Sequence, residues 1–388
     1  MFFNLKKLFT LFIILLFTCL IPNHSKAALK DSVKIGGAVR FNYRYKAWDP
    51  SIADKGGDFV FDMFAIKASA QYANFFMKAE YRLYPSDFGR FLKEGYIGYK
   101  FTPELQMVVG TNQVPFGITP YTSHSYFFNM QYYLGFEDDY DNGAKLTYNN
   151  DKWIIDLAYY KNAEGGSGAS NERYSYDPVD NVEEIGQLNL KIEKPLDNIS
   201  IGTSVQYGKI WERMQTIDDP NDPDGDKKIE NPNYHKKHDT WAAEVHMNGN
   251  FLSNKRLNVR LEAMYYNYAD MDNNLISMGA YKSSYDVASE ASIFSAAIAY
   301  TLPIEKKFLD YIQFYNDYSY MKKGYSGFAD SQMNVTGMML AAGPIYTYVD
   351  YATGKNQDWF GAWGNGLGQG DTSADWEAWF NINIGYYF

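Results

Sequence analysis

The closing segment of the chain constrains its fold more than any other stretch. Trp376, Ala378, Phe380, Ile382, Ile384, Tyr386 and Phe388 alternate with Asp375, Glu377, Trp379, Asn381, Asn383, Gly385 and Tyr387. Successive side chains of a strand face opposite sides, so a period of two with one apolar face reads as a β-strand. The same alternation runs from Val33 through Ile35, Gly37, Val39, Phe41, Tyr43 and Tyr45, set against Lys34, Gly36, Ala38, Arg40, Asn42, Arg44 and Lys46. One such strand suits a sandwich core as well as a barrel wall. A final strand that stops on Phe388 does not suit a soluble domain, because a frayed end would expose the ring.

Between these two segments the pattern predicts fourteen more strands, near 58–72, 74–84, 91–101, 105–111, 143–149, 152–161, 185–194, 199–211, 239–249, 256–268, 290–302, 308–321, 333–342 and 345–353. Sixteen is an even number, as an up-and-down barrel requires. The connectors give a separate test. Every second one is short, as at Ala73, Thr102-Pro103-Glu104, Asn150-Asp151 and Gly343-Pro344, whereas 112–142, 162–184, 212–238, 269–289 and 354–374 are long. Short turns on one rim and long loops on the other predict an all-β chain: a transmembrane antiparallel up-and-down β-barrel with periplasmic turns and extracellular loops.

Composition agrees with that expectation. Mean hydropathy is −0.41, and beyond residue 21 no apolar run approaches the roughly 18 residues that a spanning helix needs. Lys6 and Lys7 precede an apolar stretch from Leu8 to Ile21, followed by Ser25-Lys26-Ala27. This reads as a signal peptide, 1–27, cleaved to leave a barrel domain, 28–388. The one cysteine, Cys19, falls within the leader, and Leu16-Phe17-Thr18 before it lacks the small residue of a lipidation site. The exported body therefore cannot rest on disulfides. A formal charge of −10 argues against a nucleic-acid partner, whose phosphates call for a basic surface.

Aromatics make up 18% of the chain. Hydrocarbon offers no hydrogen-bond partners, so strands must pair and close, with apolar side chains outward and rings near the headgroups. Tyr43/Tyr45, Tyr265/Tyr266/Tyr268, Tyr318/Tyr320 and Tyr386/Tyr387/Phe388 are read as such girdles. Rings on the inward parity, such as Tyr84, Tyr96, Tyr160 and Trp379, offer the alternative of an aromatic lumen for sugars.

Inward charges set the expected function. Strands one to three supply Lys34, Arg40, Arg44, Lys67, Lys78 and Arg82 against Glu80, so a basic stripe is expected along that wall, where a low-dielectric tube would concentrate anions. The long connector 112–142 is too apolar to lie in water. It carries Pro115, Phe116, Gly117 and an aromatic run, then Glu137, Asp138, Asp139, Tyr140 and Asp141. Folded inward, its acidic run would face the basic stripe across a narrowed lumen; packing on the rim is the alternative.

The leader, the sixteen alternating strands, Phe388 and the third loop with Val114-Pro115-Phe116-Gly117 resemble a bacterial outer-membrane general-diffusion porin. The stretch 107–148 is similar to the phosphate-selective porin O and P family. That resemblance implies a homotrimeric channel with a constricting third loop, in contact with lipid and lipopolysaccharide, whose last aromatic, Phe388, serves as an insertion signal for the barrel-assembly machinery. The chain departs from the family in its acidic balance and in lacking a long run of inward arginines, with Arg40, Arg44 and Arg82 alone along the basic stripe.

Other motifs are weaker. Asp218-Asp219-Pro220-Asn221-Asp222-Pro223-Asp224-Gly225-Asp226 resembles a calcium loop, but aligning Gly225 with the loop glycine puts Pro220 at the first ligand and Asn231 at the twelfth. The segment 218–230 is read as a solvated loop, with weak Ca²⁺ binding or bridging of lipopolysaccharide through divalent ions as the alternative. Gly364 to Gly370 lacks the strand before and helix after that a dinucleotide loop requires, so no cofactor is expected. His246 with Glu244 on one face reads as a lumen hydrogen bond rather than catalysis. The expectation is a passive, non-enzymatic channel in the bacterial outer membrane for small hydrophilic solutes, leaning toward anions. A sugar channel or an adhesion barrel is the alternative.

Overall fold

A computed structural model describes residues 32–85, 88–165, 170, 172–212, 216–218, 228–230, 236–306 and 308–388. The expected leader and most of the acidic 218–230 segment lie outside the described residues. Sixteen antiparallel strands form one closed barrel. They are β1 Ser32–Lys46, β2 Asp58–Tyr72, β3 Phe75–Leu83, β4 Arg90–Lys100, β5 Leu105–Gln113, β6 Tyr140–Asn149, β7 Ile154–Ala163 and β8 Val182–Pro195. The second half comprises β9 Ile199–Glu212, β10 Lys236–Phe251, β11 Leu257–Tyr268, β12 Glu290–Lys306, β13 Leu309–Lys323, β14 Ser331–Ala342, β15 Ile345–Lys355 and β16 Glu377–Tyr387. The all-β barrel and its strand number are as the alternation predicts, and no helix among the described residues is long and apolar enough to cross a membrane.

β1 pairs with β16 from Ala38 opposite Tyr387 to Lys46 opposite Trp379. Closure satisfies backbone groups that an open sheet would leave as an edge. The seam continues into Phe388, whose N–H donates to Gly37 O at 3.1 Å while its own carbonyl accepts from Gly37 N at 2.9 Å. A Cβ on Gly37 would lie 2.7 Å from the Phe388 ring and 2.3 Å from Ala65 O, so only glycine fits beneath that ring. Outward positions are apolar and exposed, among them Ile35, Phe41, Phe59, Phe61, Ile66 and Ile97, which matches a wall that faces acyl chains.

Several rings expected in the girdle are inside instead. Tyr266 and Tyr268 are buried while Tyr265 between strands β10 and β12 stays partly exposed, because neighbours on a strand alternate faces. The interior rings join a core cluster that draws on the third loop (L3, 114–139), the fourth (L4, 164–181), the sixth (L6, 269–289) and the eighth (L8, 356–376). L6 folds into a hairpin of Leu275–Ala280 with Ser283–Ala288, and residues Met278 and Gly279 pair with Pro178 and Asp177 of L4. Each ring buried there contributes on the order of 1.5–3 kcal/mol.

Candidate functional site

Two local irregularities decide which charges face the lumen. Arg40 lies opposite Met63 and Phe41 opposite Phe61, so Asp62 is one residue too many for the β1–β2 ladder. Between β3 and β4, Glu80 meets Glu94 and Tyr81 meets Leu92, which leaves Lys93 surplus. Such a β-bulge puts two consecutive side chains on one face. Asp62 and Met63 are accordingly both buried, as are Lys93 and Glu94. Strict alternation cannot foresee either pair.

The expected basic residues find acids on neighbouring strands or, for Arg82, two residues away on its own. Arg40 Nε is 2.8 Å from Asp62, Arg44 lies 3.6 Å from Asp58, and Lys78 Nζ is 2.7 Å from Glu94. Glu80 takes both Lys67 at 3.1 Å and Arg82 Nε at 2.6 Å. The stripe is thus a ladder of ion pairs rather than a row of lone cations. Lys34 stands apart from it, exposed near the turn rim opposite Ser69.

L3 folds into the barrel and is fastened to the wall opposite that ladder. Gly117 N–H donates to Ser204 Oγ of β9 at 3.2 Å, and Lys191 of β8 donates to Thr119 Oγ1 at 2.9 Å. Thr122 Oγ1 donates to Glu262 of β11 at 2.5 Å, while Arg260 donates to the carbonyls of Tyr121 and Ser123. Asp317 of β13 accepts the N–H groups of His124 and Ser125, and Ser319 Oγ accepts Met130 N–H at 3.1 Å. Gly117 has φ +60°, and a Cβ there would sit 2.6 Å from Glu262 Oε1, so the turn requires a residue without one.

The acidic run that ends L3 splits into three roles. Glu137 closes the loop on itself, accepting the N–H groups of Thr122, Ser123 and Asn129. Burial pushes its carboxyl up to about 8 despite those donors. Asp138 crosses to the ladder wall, 2.7 Å from Lys93 Nζ, and accepts the hydroxyls of Tyr174 and Tyr140. Asp139 and Asp141 gather with Asp177 of L4. Pro115, Phe116 and Gly117 lie at the other root of the loop, with Phe116 in the aromatic cluster against Phe136.

Between L3 and strands β1 to β4 remains a cavity of about 630 Å³. Its lining includes Arg40, Arg44, Lys67, Lys78, Arg82 and Lys93 with Asp62, Glu80, Glu94 and Asp138. Tyr126 of L3 bridges β1 and β2, donating to Asp62 at 3.1 Å and accepting from Asn42 at 2.9 Å. Around the mouth, Tyr281 of L6 packs edge-on to Tyr84, Phe88 and Phe91. The His246–Glu244 pair sits elsewhere on the wall: Nδ1 lies 3.0 Å from Glu244, and Nε2 is 3.6 Å from Glu193.

This architecture has solved counterparts in bacterial outer membranes. OmpT of Vibrio cholerae superposes with a TM-score of 0.57 at 12% identity, covering 93% of this chain and 100% of its own. The outer-membrane channel DcaP of Acinetobacter baumannii gives 0.57 at 13% identity, covering 94% and 99%. An anion-selective porin from Comamonas acidovorans gives 0.54 at 11% identity, covering 92% and 100%. The fold is that of the outer-membrane porin barrel. No protein-family model matches the sequence, and no curated protein does.

Proposed function

We propose that the chain is a passive outer-membrane channel for small hydrophilic solutes, with L3 as its constriction and no chemical step. The observation that carries this reading is the uneven fastening of L3, which meets the ladder wall through Tyr126 and Asp138 and is held along the rest of its length by the opposite wall. Bonded to β8, β9, β11 and β13, the loop leaves a charged cavity beside β1 to β4. Six cations and four carboxylates line it, so the reading includes a lean toward anions, and a solute with separated charges would be oriented between the ladder and Asp138. The names of the Acinetobacter and Comamonas proteins, a channel and an anion-selective porin, point the same way. A homotrimer in contact with lipopolysaccharide, and recognition of Phe388 by the assembly machinery, belong to the same proposal.

Planar-bilayer recording of the purified protein tests it. Stepwise conductance and a reversal potential on the anion side are expected; a silent bilayer would sink the channel. A second reading rests on Tyr84, Tyr121, Tyr126, Tyr132 and Tyr174 lining the same space, which suits sugars stacking on rings. In liposome swelling, uptake of neutral sugars faster than of charged solutes of equal size would favour it.

A further inference from the structure

The root of L3 carries a second polar centre that does not line the lumen cavity. Carboxylate oxygens of Asp139, just before β6, of Asp141 within β6, and of Asp177 in L4 lie within 4.8 Å of one another. These residues are 6%, 1% and 3% exposed. Glu164 of L4 and Glu184 of β8 are close enough for their charges to act on Asp139 and Asp141. Arg173 is ion-paired with Asp177 at 3.3 Å, so one guanidinium stands among five carboxyl groups.

Buried carboxylates are stable when they are paired or hold a metal, and an uncompensated one costs several kcal/mol. A second observation concerns individual atoms rather than the cluster's composition. Among the described residues, Asp139 Oδ1 and Asp141 Oδ1, both sealed from solvent, have no hydrogen-bond donor, and neither has Glu184 Oε2. By contrast Glu164 Oε1 is already used, accepting the N–H groups of Tyr174 and Ser175 at 2.9 and 2.6 Å. Free oxygens therefore converge where a donor or cation is missing.

We propose that Asp139, Asp141 and Asp177 bind a calcium ion, with Glu164 and Glu184 supplying further oxygens. The donor set is all hard oxygen, without His or Cys, which selects against zinc and copper. Calcium takes six to eight such ligands at about 2.3–2.6 Å, and the 4.8 Å spread is close to two of those bonds end to end. Magnesium wants a strict octahedron and keeps its waters, which a crowded carboxylate cluster does not offer. The ion would staple the returning end of L3 to L4 and so fix the loop independently of what passes beside it. The site does not depend on the channel reading.

The test uses the full chain refolded into detergent without lipopolysaccharide, stripped with EGTA and titrated with CaCl2 by calorimetry. One ion per chain is expected, together with a higher melting temperature in calcium than in EGTA. Asp139→Asn/Asp141→Asn, with folding checked by heat-modifiable gel mobility, should abolish both effects, and Asp177→Asn serves as a second variant should the double one not fold. No binding to the unaltered chain overturns the proposal. Binding that survives in a folded variant also overturns it, because the ion would then sit elsewhere. MgCl2 should bind at least about tenfold more weakly, and equal affinity would overturn the choice of calcium.

Discussion

Asp317 accepts the N–H groups of His124 and Ser125 at 2.8 and 2.7 Å, with its other oxygen 3.2 Å from His124 Nδ1. Hydrogen bonds to a charged acceptor contribute about 1.5–3 kcal/mol each, so Asp317 is a strong tether of L3. Asp317→Ala should loosen the loop without touching the ladder. Single-channel conductance is expected to rise and become noisier, and an unchanged trace would refute Asp317 as a tether of the loop. Lys93 and Asp138 form a buried pair, with side chains 8% and 2% exposed. Removing one partner strands a buried charge at about 3–5 kcal/mol, whereas replacing both is far milder. Lys93→Met should therefore lower the melting temperature clearly, and adding Asp138→Leu should recover most of the loss in a double-mutant cycle.

At the scale of elements, L8 is organised by one carboxylate. Asp358 accepts the N–H groups of Gly364 and Leu367 at 2.6 and 2.7 Å. Burial raises its pKa to about 6, from roughly 3.9 in an unfolded chain. The folded loop thus holds the proton more tightly than the unfolded one, so its stability is full below about 4 and erodes as pH rises through about 6. Amide exchange in 358–367, corrected for intrinsic rates, should be more protected at about pH 4 than at about pH 7.5, and Asp358→Asn should flatten that difference. The hairpin of L6 shows why loop structure was less legible than strands. Its turn is Tyr281-Lys282, both at positive φ, where Asn-Gly would have announced it. The Tyr281 ring, packed on Tyr84, Phe88 and Phe91, compensates for that backbone. No local pattern could reveal it, since the partners lie far away in sequence.

For the whole molecule, alternation made the wall legible because each face meets one uniform medium over many residues. The cavity was only half legible. Arg40, Arg44, Lys67, Lys78 and Arg82 were found by parity, but Asp62 and Lys93 were not, because one surplus residue leaves no trace in a period of two. Asp139 and Asp141 were visible as part of an acidic run, but their meeting with Asp177 was beyond reach, since closure and loop packing bring the three together. On the channel reading proposed above, net selectivity would be set by this whole group of charges. Replacing Arg40, Arg44 and Arg82 by Ala together removes three of six lining cations and leaves the four carboxylates. The reversal potential should then move to the cation side, and a fixed potential would remove these arginines from the conduction path.

The two bulges also fix where the wall can change length. Phe61 faces outward, Asp62 and Met63 inward, and Ile66 outward again; Leu92 is likewise exposed before the buried Lys93 and Glu94. Omitting Asp62 or Lys93 would leave a perfectly alternating strand with every other side chain on its present face. Omitting a residue elsewhere in β2 or β4 would turn part of the strand inside out, sending charges into lipid and rings into water. Each of these two bulges is thus a point at which a codon can be lost without inverting the strand, and both lie under the charges that line the cavity.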